Sequence, residues 1–304
     1  MSLSADQILD RIKLKKKLTS WRLVAIIAFV FLLLSVFSTD SAKPSKVSVI
    51  ESNYIARIEL TGMILNDRDR LEILNDIYEN DAIKAVIVHI SSGGGTPVGG
   101  ENLLHAFRKI SKKKPIVTVI DDMAASGAYM AAMGTDYIIA RETSIAGSIG
   151  VISMSFEVTE LAEKIGVKFN TIRTSPFKGG PIPTDKMSPE MRYELEHISS
   201  DVYATFVDML KDRRKIKPEF FAEVTAGRVF TGRQSVVNGL IDALGDEETA
   251  INWLSEQKKV PADLKVKDIP LYLPDSRFNF FWDNIHDTMA IIKHFTSFNT
   301  VTLF

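Results

Sequence analysis

Residues 85–129 read AVIVHISSGGGTPVGGENLLHAFRKISKKKPIVTVIDDMAASGAY, and the reading of this stretch decides the fold. AVIVHI (Ala85–Ile90) and PIVTVI (Pro115–Ile120) are apolar almost throughout, as strands covered on both faces are. Between them the apolar period lengthens to that of a helix, predicted near Asn102–Lys112. Strand, helix and strand in that order make a βαβ unit, the building block of a mainly parallel sheet.

The alternation continues in both directions. Upstream lie IARIEL from Ile55 and a helix near Arg68–Tyr78. Downstream come a helix from Ser126, YIIA at Tyr137, an apolar run to Ile152, a helix near Val158–Ile165 and VKFNTIRT from Val167. From Ser188 the period changes: Met191, Leu195, Ile198, Val202, Phe206 and Met209 predict one long amphipathic helix reaching about Lys215, its apolar stripe facing the core or, in part, another subunit. Thr231 and Gln234 have capping-box spacing and Gly239 is a stop, so a short helix lies between them.

Composition narrows the function classes. The 304 residues carry 37 basic and 38 acidic side chains, so no global field points to nucleic acid or an acidic substrate. Cysteine is absent, which removes disulfides, thiolate metal sites and cysteine nucleophiles. No HExxH, histidine cluster or carboxylate pair suggests a metal, and no cofactor is expected.

Leu23–Phe37 (LVAIIAFVFLLLSVF) is near the lower limit for a bilayer-spanning helix. Arg11, Lys13, Lys15, Lys16 and Lys17 precede it, and the positive-inside rule then places the amino terminus in the cytoplasm and the rest outside. A cleaved signal peptide is the rival, but no good small-x-small site follows. The expected organisation is a basic tail (1–20), a transmembrane signal anchor (21–38), a linker (39–45), one α/β domain (46–275) and an aromatic-rich tail (276–304).

Three segments hold residues able to carry chemistry. Ser91–Gly100 (SSGGGTPVGG) follows a predicted strand, and a glycine turn opening onto a helix points N–H groups at an anion or oxyanion. Met123–Tyr129 (MAASGAY) sets Ser126 among small residues at a helix start, as a nucleophile or as a simple N-cap. Thr174–Pro183 (TSPFKGGPIP) presents Lys178, and a lysine serves as a base only when taken out of water.

The motifs ISSGGGTPVGGENLL, MAASGAYMAAMGTDYIIA, GSIGVI and GRVFTGRQSVVNGLIDALG, in that order, resemble the signal peptide peptidase A family of serine proteases over roughly residues 50–250. The resemblance implies a β-α superhelix like that of the Clp protease subunit and the crotonases. It implies Ser126 as nucleophile, Lys178 as general base, Ser148 of AGSIG orienting the lysine, and the N–H groups of Gly95 and Gly127 as oxyanion donors. It implies apolar peptide substrates such as remnant signal peptides, and a homo-oligomer whose neighbouring subunits complete each site. Ser92-Gly93-Gly94-Gly95 stands where relatives have Ser-Pro-Gly-Gly, a change expected to loosen the turn. A crotonase-like acyl-CoA enzyme and an inactive membrane scaffold are the alternatives. His89 is expected to pack or lie exposed at a strand end, and Asp121 and Asp122 to cap a turn.

Overall fold

In the computed structural model, residues 52–271 are described, together with 15, 17, 18, 21 and 22. Among the described residues no helix is long and apolar enough to cross a membrane. The apolar run Leu23–Phe37 and the tail from Phe278 lie outside them.

The segment quoted above forms β2 (Ile83–Gly95), a helix and β3 (Ile116–Ala125), and β2 pairs in parallel with β1 (Tyr54–Ile64) and with β3. The sheet runs β6-β5-β3-β2-β1-β8, with β4 (Tyr137–Ala140) on β3 and β7 (Ala243–Leu244) on β4. β8 is Lys265–Asp268, and among the described residues only β5 (Ile145–Gly147) against β6 (Val229–Thr231) is antiparallel.

Both faces are covered, which is why these strands are apolar at successive positions. Ala56, Ile58, Val86 and Val88 face α1 (Arg68–Glu79) and α2 (Pro97–Ser111), meeting Leu74, Ile77, Leu103 and Phe107. Ile55, Ala85, Ile87, Val117 and Val119 face the other way, onto Ala250 and Leu254 of a helix at Glu247–Lys258. Each such aliphatic side chain removed from water contributes about 1.5–3 kcal/mol, so the alternation fixes the register.

α3 (Gly127–Ala132) follows β3, α4 (Thr159–Lys164) is short, and α5 (Pro189–Arg213) is the long helix, capped by the Ser188 hydroxyl. Its second half buries Phe206, Val207 and Leu210, whereas Tyr193 and Ile198 of the first half are exposed. α6 (Pro218–Val224), α7 (Gly232–Asn238) and α8 (Glu247–Lys258) complete the described chain. The Thr231–Gln234 capping box forms, and Gly239 closes α7 at φ 92°.

Two expectations are corrected. VKFNTIRT forms no strand: no sheet edge receives it and its apolar side chains are exposed, Ile172 at 99%. The glycine run Ser91–Gly95 is the end of β2 rather than a turn, and α2 starts at Pro97, capped by Thr96, earlier than Asn102.

Lys114 is buried and its ammonium donates to the carbonyls of Ile77 (2.7 Å) and Asn80 (2.6 Å), closing the carboxyl end of α1. Burial, reinforced by Lys113, lowers its pKa to about 8. Lys114→Met is expected to cost about 1–3 kcal/mol by removing the ammonium donor that the two carbonyls share, checked by urea denaturation at pH 7.

Candidate active site

β3 carries the chain to Ser126, which occupies the N-cap position of α3 at φ 53°, ψ −123°. That region is normally reserved for glycine, and a side chain there costs about 1–3 kcal/mol. Its N–H donates to the Gly147 carbonyl (2.9 Å) and its carbonyl accepts from Met130 N–H (2.9 Å). Its hydroxyl makes no capping hydrogen bond, unlike those of Thr96, Ser188 and Thr231. The simple N-cap role is therefore not the one Ser126 plays.

Glycines crowd this turn. A methyl on Gly94 would lie 2.9 Å from Ser126 Cβ, and one on Gly127 would lie 3.3 Å from Gly95 N. The end of β2 and the start of α3 therefore face each other at backbone distance. Gly127 N–H belongs to the first turn of a helix and cannot be satisfied within it. Gly95 lines the same cleft, and two such N–H groups are the donors an oxyanion would need. The loop is firm despite its missing proline, because Ser92 Oγ donates to Gly62 O (2.6 Å) and accepts from Gly94 N–H (3.1 Å). Sequence reasoning missed Ser92, whose signal was a small hydroxyl side chain two residues before a positive-φ glycine.

These groups line one cleft of about 990 Å³, together with Ser148 and apolar side chains including Met63, Met130, Ile149 and Val202. Ser148 also holds a positive φ of 54°, pinned by its N–H to Arg228 O (2.7 Å). Ser126, Ser148, Gly95 and Gly127 are thus brought together. Lys178 is not: it is exposed, sits in a turn closed by its N–H to Ser175 O (3.2 Å), and does not line the cleft. The burial that a lysine base needs is not supplied by the described residues of its own chain. Among the described residues no group of acidic, histidine or cysteine side chains is arranged to hold a metal.

The profile of peptidase family S49 matches residues 108–261, just over half of the chain, and includes Ser126, Ser148 and Lys178. The chain belongs to peptidase family S49. Membership sets its chemical class as peptide hydrolysis by a serine peptidase. A Synechocystis sp. protein named "Putative protease" is 35% identical over 201 residues, covering 66% of this chain and 72% of its own. An Enterococcus faecium protein named "Putative signal peptide peptidase SppA" is 32% identical over 211 residues, 69% of this chain, and the match spans only 60% of that relative. Among solved structures, a membrane-bound stomatin-specific protease with a substrate peptide aligns at TM-score 0.46 and 15% identity, over 76% of this chain and 99% of that one.

The S49 profile begins at Arg108, so Gly127 lies within that match and Gly95, at the end of the glycine run, before it.

Proposed function

We propose that the chain is a membrane-anchored serine endopeptidase in which Ser126 attacks the peptide carbonyl, Lys178 of a neighbouring copy takes its proton, and apolar peptides outside the cytoplasmic membrane are the substrates. One observation carries the reading. Ser126 holds a glycine-type backbone conformation, its hydroxyl free of any cap, and lines one largely apolar cleft with Gly95 and Gly127.

In this mechanism the hydroxyl proton passes to the lysine amine as Ser126 Oγ bonds to the carbonyl carbon. The carbonyl oxygen gains negative charge and meets the two N–H groups. The amine then returns the proton to the leaving nitrogen, and water repeats the sequence on the acyl-enzyme. Remnant signal peptides fit the apolar lining, and the name of the Enterococcus relative points the same way. The anchor reading of Leu23–Phe37 would hold the cleft near the bilayer where such peptides are left.

Two features favour a base supplied by a second copy. Lys178 is exposed in its own chain, and the segment around it carries bare apolar side chains, with Ile172 at 99% and Phe177 at 48% exposure. Exposed apolar surface of this kind marks an interface, and a covering neighbour would take the lysine out of water.

Complementation tests this. Full-length Ser126→Ala and Lys178→Ala chains, each inactive on an apolar peptide in detergent, are mixed, dissociated and reassembled. Random assembly with a base in trans restores roughly a quarter of the wild-type rate. No recovery, with the wild type surviving the same treatment, rejects sharing of the site.

A further inference from the structure

On the face of the sheet covered by α8, the apolar layer ends in a band of charge. Arg57 on β1, His89 on β2 and Asp121 on β3 follow Ile55, Ile87 and Val119 at the next same-face positions. His89 Nδ1 lies 3.0 Å from both Asp121 carboxylate oxygens, and Nε2 lies 2.7 Å from Glu247 Oε2 at the start of α8. Arg57 bonds to Glu247 (3.2 Å) and to Asp268 of β8 (3.0 Å). Glu59, opposite His89 on β1, is the remaining charge beside it on the sheet. The imidazole is 16% exposed, so it is the inner member of the chain Asp268–Arg57–Glu247–His89–Asp121.

Asp121 sits at an irregularity that matters for the cleft. Ile90 pairs with Ile120 and Ser92 with Ala124, so β3 places Asp121, Asp122 and Met123 against the single residue Ser91. There β3 exchanges partners, pairing with β4 through Ile120 and with β5 from Met123. Three side chains brace this bulge. His89 holds Asp121, Ser91 Oγ donates to the Asp122 carboxylate (2.9 Å), and Ser144 Oγ donates to Asp121 O (2.6 Å). Three residues beyond the bulge stands Ser126, stitched to β5 through Gly147.

We propose that His89 is a positioning residue for Ser126: bridging Asp121 and Glu247, its doubly protonated ring holds the β3 bulge, and with it the nucleophile turn, more firmly than the neutral ring. This rests on the reading of Ser126 as nucleophile. The chemistry is that of imidazole. With both nitrogens protonated, each N–H donates to a carboxylate. After loss of one proton, a bare lone pair faces a carboxylate at 3 Å or less, and one half of the bridge becomes repulsive. Burial alone lowers the pKa of His89, but Asp121 and Glu247 outweigh it, and the net shift is upward from 6.5. The bridge is therefore complete below about pH 6.5 and is lost as pH rises through the higher folded-state value. A lysine base makes activity climb with pH, so the bridge adds a falling alkaline limb in kcat.

The full-length chain is assayed from pH 5.5 to 9 beside His89→Gln and His89→Lys. Glutamine carries no positive charge to set between the two carboxylates and brings an acceptor oxygen with its amide, and kcat is expected to fall about tenfold at pH 6.5, with KM within about twofold and the alkaline limb gone. Lysine, a permanent donor over this range, is expected to restore kcat to within about threefold of the parent without the limb. In Ser126→Ala protein, the Ser126-position amide and the His89 ring are followed by NMR and are expected to titrate together, uncoupling in His89→Gln. A parent-like limb in both variants, or an amide that ignores the ring, overturns the proposal. If the parent hydrolyses no peptide while the amide and ring titrate together, the nucleophile reading fails instead and the bridge stands.

Discussion

Ser126→Ala is expected to lower kcat/KM for an apolar peptide at least about a thousandfold and to leave the fold intact. The methyl keeps the volume of the turn and removes only an oxygen that caps nothing. Ser126→Gly should be equally inactive yet more stable, by about 1 kcal/mol, because glycine relieves the strain at φ 53° and recovers more than its own entropic cost. Peptide hydrolysis and urea unfolding on the same three proteins check both halves. Activity of Ser126→Ala within tenfold of the parent would place the nucleophile elsewhere. A glycine variant less stable than the parent would mean the turn is not strained.

Gly95→Ala is the second large effect. A methyl at this position would lie 1.9 Å from Ile64 O and 2.5 Å from Ile64 C, both backbone atoms of the neighbouring strand. Ile64 O also accepts from Thr96 N–H at 2.9 Å, so the collision pushes on the strand pairing and on the cap of α2 at once. Displacing the Gly95 N–H is expected to cost about 10²–10³ in kcat, the penalty for losing one oxyanion donor, with a stability loss of a few kcal/mol from the same clash. Gly93→Ala, where a methyl meets nothing within 4 Å, is the matched control, expected to change kcat by no more than about threefold. Equal activities for the two variants would remove Gly95 from the oxyanion site.

The sheet was legible in the sequence because strands buried on both faces leave unbroken apolar runs. AVIVHI became the middle of β2, and PIVTVI, less its proline, the first half of β3. Their upper ends were not legible: SSGGG and DDMAA carry small and charged residues that read as turns, and their strand pairing is supported by side-chain braces such as Ser92 and His89. VKFNTIRT shows the opposite failure, since its alternation is real but no strand of the sheet pairs with it. Ser126 could be located from its neighbours, whereas its backbone angles, which separate a nucleophile from a cap, leave no mark in residue type. His89 was read as a packed or exposed strand end, and both of its carboxylate partners come from other elements, Glu247 being 158 positions away. Lys178, exposed and away from the cleft among the described residues, is the site residue that the sequence motif marks and the single chain does not bring to the others.

The two left-handed serines at the cleft, Ser126 and Ser148, also bear on how this chain can drift over evolutionary time. At such backbone angles random substitution runs downhill toward glycine, which gains stability and asks nothing of its surroundings. A serine retained there across descendants would be held against that gradient by its hydroxyl alone. Lineages that have abandoned the chemistry should therefore be recognisable by glycine at both positions while the rest of the fold is kept.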